Sequence, residues 1–354
     1  MSQTFREYLK KVGSGQHTKK DLTRPEAAIA SHLMFQGEAT PAQIGAFLIA
    51  HRIKRPTGAE LAGFLDTYDQ LGAKIAPLPD SRPQPVVFGV PYDGRTRTAP
   101  LLPITALLLA TAGIPVILHG AGSMPTKYGL SLLAIFQAIA LDFQSLSLAD
   151  CHSLLEQNNF IFYYTPEHFP QSRALNEYRD QIGKRPPLAT LDMIWSPYAG
   201  PSHQIIGYVH PPTETMIQEA LESRGQQHFT LVKGLEGSCD LRLSQTNIIS
   251  LPDPSGARHY LKLNARDYGF AGPDISLTDG ENYEQELRQL LAGQSSILQP
   301  AAVWNGGFYL WHCGACSTLE AGLQQAKDWM EAGQLQSTYQ ALVNFSSHPS
   351  LTTP

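Results

Sequence analysis

Residues suited to holding a phosphate gather in the run PVVFGVPYDGRTRTAPLLPITALLLATAGIPVILHGAGSMPTKYG, from Pro85 to Gly129. Asp93, Arg95 and Arg97 lie in one polar turn with Gly89 and Gly94 beside them. His119, Gly120, Ser123 and Lys127 lie in a second, glycine-rich turn. Each turn follows a short apolar run, VVFGV or PVILHG, and the apolar stretch ITALLLATAG separates them. The order reads strand, turn, helix, strand, turn, so both polar turns leave the carboxyl ends of neighbouring strands. Open α/β sheets bind ligands there, and free backbone N–H groups beside cations favour an anion. Arg179, Lys184 and Arg185 in RDQIGKR and Lys233 in VKGLEG extend the basic set. With Arg95, Arg97 and Lys127 they face only Asp93, Asp180 and Glu236 on the same segments. Such an excess attracts phosphate, whether of a sugar diphosphate or of a nucleic-acid backbone.

The elements that must position these residues fall into two parts. Residues 5–71 read as short amphipathic helices. Thr23 precedes Pro25 and AAIASHLMF, Thr40 precedes Pro41 and AQIGAFLIAHRI, and Thr57 with Glu60 forms a capping box before LAGFLDTYDQL. The four-proline segment AKIAPLPDSRPQP has no apolar periodicity and reads as a linker. Beyond it, the runs VVFGV, PVILHG, FIFYYT, HQIIGYV, FTLVKG and NIISLP alternate with helical patterns. The expectation is an α/β fold: a small helical domain over residues 1–74, then an α/β ligand-binding domain over residues 84–350. Its central mixed or parallel sheet is flanked by helices. Helices from about 165–195 are expected to pack with the first domain. Ile44, Phe47, Leu48, Leu61, Phe64 and Leu65 exceed what one small helical core needs, so the N-terminal helices are expected to form a homodimer contact.

Composition narrows the classes. The chain has 354 residues, 42% hydrophobic and 16% charged, which suits a globular protein with a substantial core. A net charge of −5 argues against a globally basic nucleic-acid binder while leaving room for a local patch. No apolar run reaches the roughly 18 residues that span a bilayer, and the N-terminus has no signal-peptide core. A soluble, cytoplasmic protein is expected. Of four cysteines, Cys151 sits in a helical pattern and Cys239 in a loop. Cys313 and Cys316 form a CxxC without two further zinc ligands at finger-like spacing. Gly314 as a helix C-cap and Ser317 with Glu320 as a capping box make that motif a helix–helix turn.

The run GEATPAQIGAFLIAHRIKRPTGAELAGF, residues 37–64, resembles the N-terminal helical domain of the anthranilate phosphoribosyltransferases, in a glycosyltransferase family that also holds pyrimidine nucleoside phosphorylases. ALLLATAGIPVILHG, RDQIGKR, VKGLEG, LKLNARDYGF and the C-terminal AAVWNGGFYLWHCGACSTLEAGLQQAKDWMEAGQ match in the same order, so the resemblance covers about residues 5–345. It implies a homodimer with a phosphate-binding cleft between the domains. It also implies a phosphorylated ribose as ligand, magnesium as cofactor and pentosyl transfer as activity.

The catalytic motifs depart from the family pattern. Where active members have Gly-Thr-Gly-Gly-Asp, this chain has Gly89-Val90-Pro91-Tyr92-Asp93. Pro91 removes an N–H donor and Tyr92 brings a ring where phosphate would approach bare backbone. The hydroxyls of the next family motif are replaced near Pro100-Leu101-Leu102-Pro103. His119, Gly120, Ser123 and Lys127 remain of the second motif, with Ala121 and Gly122 in place of Asn and Arg. The family's Asp-Glu pair for magnesium falls at Cys239-Asp240, leaving Asp240, with Glu236 as a candidate second ligand. The family's aromatic-substrate arginine matches Arg179, and His168 matches a family histidine. His168 and His210 also read as helix-start or strand-end histidines. These changes resemble a divergent branch of the family. For that branch, the resemblance implies either a transferase with an altered substrate or weak activity, or a dimeric nucleic-acid-binding protein without the chemistry.

Overall fold

Three threonines start three of the four helices of the first lobe. The computed structural model describes residues 2–15, 17–252, 258–277 and 280–347. It places α1 at Gln3–Gly13, α2 at Arg24–Phe35, α3 at Pro41–Lys54 and α4 at Gly58–Leu71. Thr23, Thr40 and Thr57 each cap a helix through a reciprocal capping box, closed by Glu26, Gln43 and Glu60. Each box satisfies two N–H groups that a helix start leaves without partners.

The second lobe is built on a seven-stranded sheet: β1 Val86–Gly89, β2 Val116–Gly120, β3 Phe160–Tyr164, β4 His203–Tyr208, β5 Phe229–Lys233, β6 Asn247–Pro252 and β7 Arg258–Leu263. Its order is β3-β2-β1-β4-β5-β6-β7. The first five pair in parallel, and β6 and β7 add antiparallel. The flanking helices are α5 Leu102–Thr111, α6 Leu132–Ala138, α7 Leu148–Asn158, α8 Thr165–His168, α9 Asn176–Gln181, α10 Leu188–Ile194 and α11 Pro211–Ser223. They are completed by α12 Gly280–Leu291, α13 Gln299–His312, α14 Leu319–Glu331 and α15 Leu335–Ser347. A helix that is apolar all round must be enclosed, and α5 is buried at every position from Leu102 to Ala110, between the sheet, α13 and α15. The chain winds outward from β1 to β3, then resumes at β4 on the other side of β1. The crevice at that reversal lies beyond the carboxyl ends of the strands. The segment 165–195 sits between the lobes: its 3-10 turn Pro170–Leu175 packs on α2, α9 on α3, and α10 on α4.

Three expectations change. Ile44, Phe47, Leu48, Leu61, Phe64 and Leu65 are all at most 2% exposed within the single chain. They form no surplus patch, because α1 covers α3, and α4 is covered by α2 on one side and by α11 on another. Among the described residues, the large apolar side chains these helices do expose are Ile29 and Ile53. The cap of α14 is Thr318 rather than Ser317, since its side chain accepts from Ala321 N–H, while Gly314 takes the left-handed conformation that ends α13. Strand β7 is an addition to the six expected strands: it lies at a sheet edge with half of its residues exposed, and it carries no apolar run. The end of the second domain at 350 lies outside the described residues.

Candidate functional site

The two polar turns are joined along their backbones. Arg95 N–H donates to Leu130 O at 3.0 Å, Leu130 N–H to Arg95 O at 2.8 Å, and Gly129 N–H to Asp93 O at 2.9 Å. The approach requires glycine at Gly94, which has φ +76° and would drive a Cβ to within 2.5 Å of the Gly129 backbone. Pairing of this kind brings Arg95 and Lys127 to one place although 32 positions separate them.

Arg95 is the hub. Its Nη1 lies 2.7 Å from Asp240 Oδ2 and its Nε 3.2 Å from Glu236 Oε2, and its Nη2 donates to Thr98 Oγ1. Glu236 sits in the left-handed region (φ 59°), on the turn after β5. Its carboxylate also accepts from Thr96 N–H, Thr96 Oγ1, Arg97 N–H and Lys127 Nζ. Burial opposes its charge, but Lys127, Arg97 N–H, Thr96 and Arg95 outweigh that and hold it at about 2. Lys127 also donates to Gly94 O at 2.7 Å and lies 3.7 Å from Asp93, whose carboxylate has Arg185 Nη2 at 3.1 Å. Three carboxylates (Asp93, Glu236, Asp240) thus meet three cations (Arg95, Lys127, Arg185) in a largely buried, charge-balanced group whose outer members, Lys127 and Arg185, remain partly exposed.

A second group closes the crevice towards the helical lobe. Arg179 Nη1 lies 2.8 Å from Asp192 Oδ2, and Tyr68 Oη donates to Asp192 Oδ1 at 3.2 Å. Burial works against the Arg179 charge, but Asp192 outweighs it and holds the guanidinium above its ordinary range. Tyr92 Oη meets His119 Nδ1 at 2.5 Å and Thr165 Oγ1 at 2.9 Å. Burial lowers His119 to about 3, so its ring is neutral and contributes no charge to an anion site. The cavity left among Tyr92, Met124, Thr165, Arg179 and Asp192 is about 20 Å³, room for about one water molecule and none for an aromatic ring.

The other expected side chains that could reach a ligand are more open, while Gly89 and Gly120 are buried. Arg97, Ser123 and Lys184 are exposed and Lys233 is half-buried. Gly89 and Gly120 end β1 and β2. His168 lies away from the crevice against the Tyr163 ring and Cys151, and His210 is an exposed residue at the start of α11. The expected excess of cations shrinks, because Asp192 and Asp240 enter the cleft from other segments and take Arg179 and Arg95. Asp192 was missed as a site residue. Its signal was a lone acid in the apolar run LATLDMIW, a position that folding buries only with a partner. Asp180 accepts from Tyr128 Oη at 2.5 Å, tying the second turn to the segment between the lobes.

The magnesium expectation meets a specific obstacle. Glu236 and Asp240 do converge, but the Arg95 guanidinium lies between them, and Glu236 already accepts from five donors. Among the described residues no group of three or more His, Cys, Asp or Glu could hold a metal ion. The donor set present fits an internal arginine and does not fit magnesium.

Many known proteins are similar to this chain along most of its length. The helical bundle domain of a glycosyl transferase family matches residues 6–72, and the α/β domain of that family matches residues 100–336. The chain is 26% identical over 333 residues to the anthranilate phosphoribosyltransferase of Azorhizobium caulinodans, covering 93% of each. It is 28% identical over 331 residues to that of Roseiflexus castenholzii, covering 92% of this chain and 95% of the relative. Among solved structures, it superposes with a TM-score of 0.81 at 13% identity on the anthranilate phosphoribosyltransferase of Saccharomyces cerevisiae in complex with phosphoribosyl diphosphate and magnesium. That match covers 98% of this chain and 99% of the other. The enzyme of Thermus thermophilus gives a TM-score of 0.78 at 19% identity, covering 98% and 100%.

Proposed function

Because the chain belongs to this glycosyl transferase family, we propose that it is an anthranilate phosphoribosyltransferase-like protein. On this reading it binds a phosphorylated ligand at the mouth of the cleft and carries out ordinary anthranilate transfer very weakly or not at all. The observation that carries the reading is the pairing of Arg179 with Asp192 beneath Tyr92. Arg179 is the residue that the resemblance assigns to the acceptor's carboxylate, and here it holds a carboxylate of its own chain. Tyr92 and Met124 fill the space an acceptor ring would need. On the phosphate side, Pro91 supplies no N–H, and transfer requires preorganised donors for the charge that develops on the leaving diphosphate. Each such donor lost costs about 3 kcal/mol, or roughly a hundredfold in rate.

Incubating the protein with anthranilate, phosphoribosyl diphosphate and magnesium and following the loss of anthranilate fluorescence tests this. A turnover comparable with an ordinary family enzyme would overturn the reading. Phosphoribosyl diphosphate should still bind by calorimetry, weakly and with a shallow salt dependence.

A second reading, binding of a nucleic-acid phosphate backbone, is favoured by Arg97, Lys184 and Lys233. They lie on the segments that carry the site, and none has an ion-pair partner among the described residues. On that reading a labelled single strand binds with an affinity that falls steeply with log salt and varies little with sequence. The triple variant Arg97→Ala, Lys184→Ala, Lys233→Ala should weaken either ligand. Unchanged binding of both would remove the cleft mouth from consideration.

A further inference from the structure

We infer that the Arg95 guanidinium takes the place of a divalent cation between Glu236 and Asp240, so that the cleft of this protein is poised for anions without a metal. The inference stands on the geometry around Arg95 and does not depend on whether the cleft transfers a pentose. Two carboxylates from one loop, four positions apart, converge on a single cationic group with contacts of 2.7 and 3.2 Å. Paired oxygen ligands of this kind would otherwise suit a hard cation. Here the cation arrives covalently attached, on the turn that follows β1. It is fixed there by the backbone pairing of Arg95 with Leu130 and by the bond to Thr98 Oγ1.

The surroundings are adapted to this occupant. Glu236 accepts backbone N–H bonds from Thr96 and Arg97, which are neighbours of Arg95 in sequence, so the same turn that delivers the guanidinium also orients its carboxylate partner. Asp240 Oδ2 has Leu101 N–H at 3.4 Å as a further donor. Lys127 and Arg185 balance the remaining negative charge through Glu236 and Asp93. A divalent ion added to three cations and three carboxylates would leave an excess of two positive charges around the buried Arg95, Glu236 and Asp240. It would also have to displace a guanidinium whose fork suits paired carboxylates better than a point charge does.

Mn²⁺ titration followed by electron paramagnetic resonance, with thermal unfolding in the presence of Mg²⁺, tests the inference. The wild-type protein should leave Mn²⁺ free in solution, and neither Mg²⁺ nor a chelator should change its unfolding temperature or its affinity for inorganic phosphate. Arg95→Met keeps the side-chain bulk and removes the charge. It should gain Mn²⁺ affinity on the order of tenfold or more and be restabilised by Mg²⁺, and Asp240→Asn added to it should abolish the gain. Stoichiometric Mn²⁺ binding by the wild type that Asp240→Asn removes would overturn the inference. The same holds if neither Arg95→Met nor Arg95→Ala gains any affinity. The wild-type measurement decides alone if neither variant folds.

Discussion

The helical lobe and the cleft each bury a knot of opposite charges, and the two are assembled in different ways. In the helical lobe Lys54 Nζ lies 2.7 Å from Glu60 and 2.5 Å from Asp21, with His51 3.4 Å from Glu60. All four residues lie within 40 positions of one another, and Glu60 is also the third residue of the capping box that starts α4. One carboxylate thus serves a helix end and an ion pair together. Burial opposes the Glu60 charge, but His51, Lys54 and Leu22 N–H outweigh it and hold the group at about 2. The cleft knot pairs residues up to 145 positions apart and has no helix to anchor it; loop-to-loop pairing does that instead. The first knot is part of making the lobe. The second occupies the place where the wider family resemblance puts a ligand and its metal.

Acid should strain both knots at once and give the largest effect. Both glutamates titrate near 2 in the folded chain, below the ordinary value of about 4.3 in an unfolded one. Their contribution is therefore complete above about pH 4.3 and is lost as pH falls through the folded value near 2. Unfolding followed by circular dichroism should show stability declining over that window, and Glu60→Gln should flatten the decline.

Among substitutions, Glu60→Ala should cost most, about 3–5 kcal/mol, because it leaves Lys54 buried without its inner partner. Urea denaturation measures it, and a loss under 1 kcal/mol would mean that the knot does not stabilise the lobe. Glu236→Gln should cost less, about 1–3 kcal/mol, since Arg95 keeps Asp240 and Lys127 is a quarter exposed. Its distinguishing sign is local. Hydrogen exchange should rise in the turns 93–101 and 121–130 and stay unchanged in α1–α4; a uniform rise would erase the contrast between the two regions. The smallest effect is expected from Thr40→Ala, about 1 kcal/mol, since it removes one cap in the helical lobe and touches neither knot.

Much of the fold was legible because it rests on local rules. The threonine caps of α2–α4, the six apolar runs that became β1–β6, and the turn at Gly314 follow from residues within a few positions of one another. The candidate site was legible in its residue types and only partly in their roles. Arg95 and Arg179 were read as open to an external anion because their own segments hold few acids. Asp240 and Asp192 reach them from segments 145 and 13 positions away. The surplus read into Phe64 and its neighbours on α4 disappears because α11, which covers α4, lies beyond the first 71 residues.

By itself, then, the sequence determined the two-part architecture, the strand and helix types, and the loss of the glycine-lined turn at Pro91-Tyr92. Those depend on backbone propensity, capping and side-chain volume, which act over one turn of chain. Only the tertiary structure decided that Arg95, Lys127, Arg179 and Arg185 are matched from within and that the pocket beside Arg179 is filled. Coulombic pairing and exclusion of water depend on distances across the sheet, and those are set by where the turns after β1, β2 and β5 meet the segment 165–195 and α4.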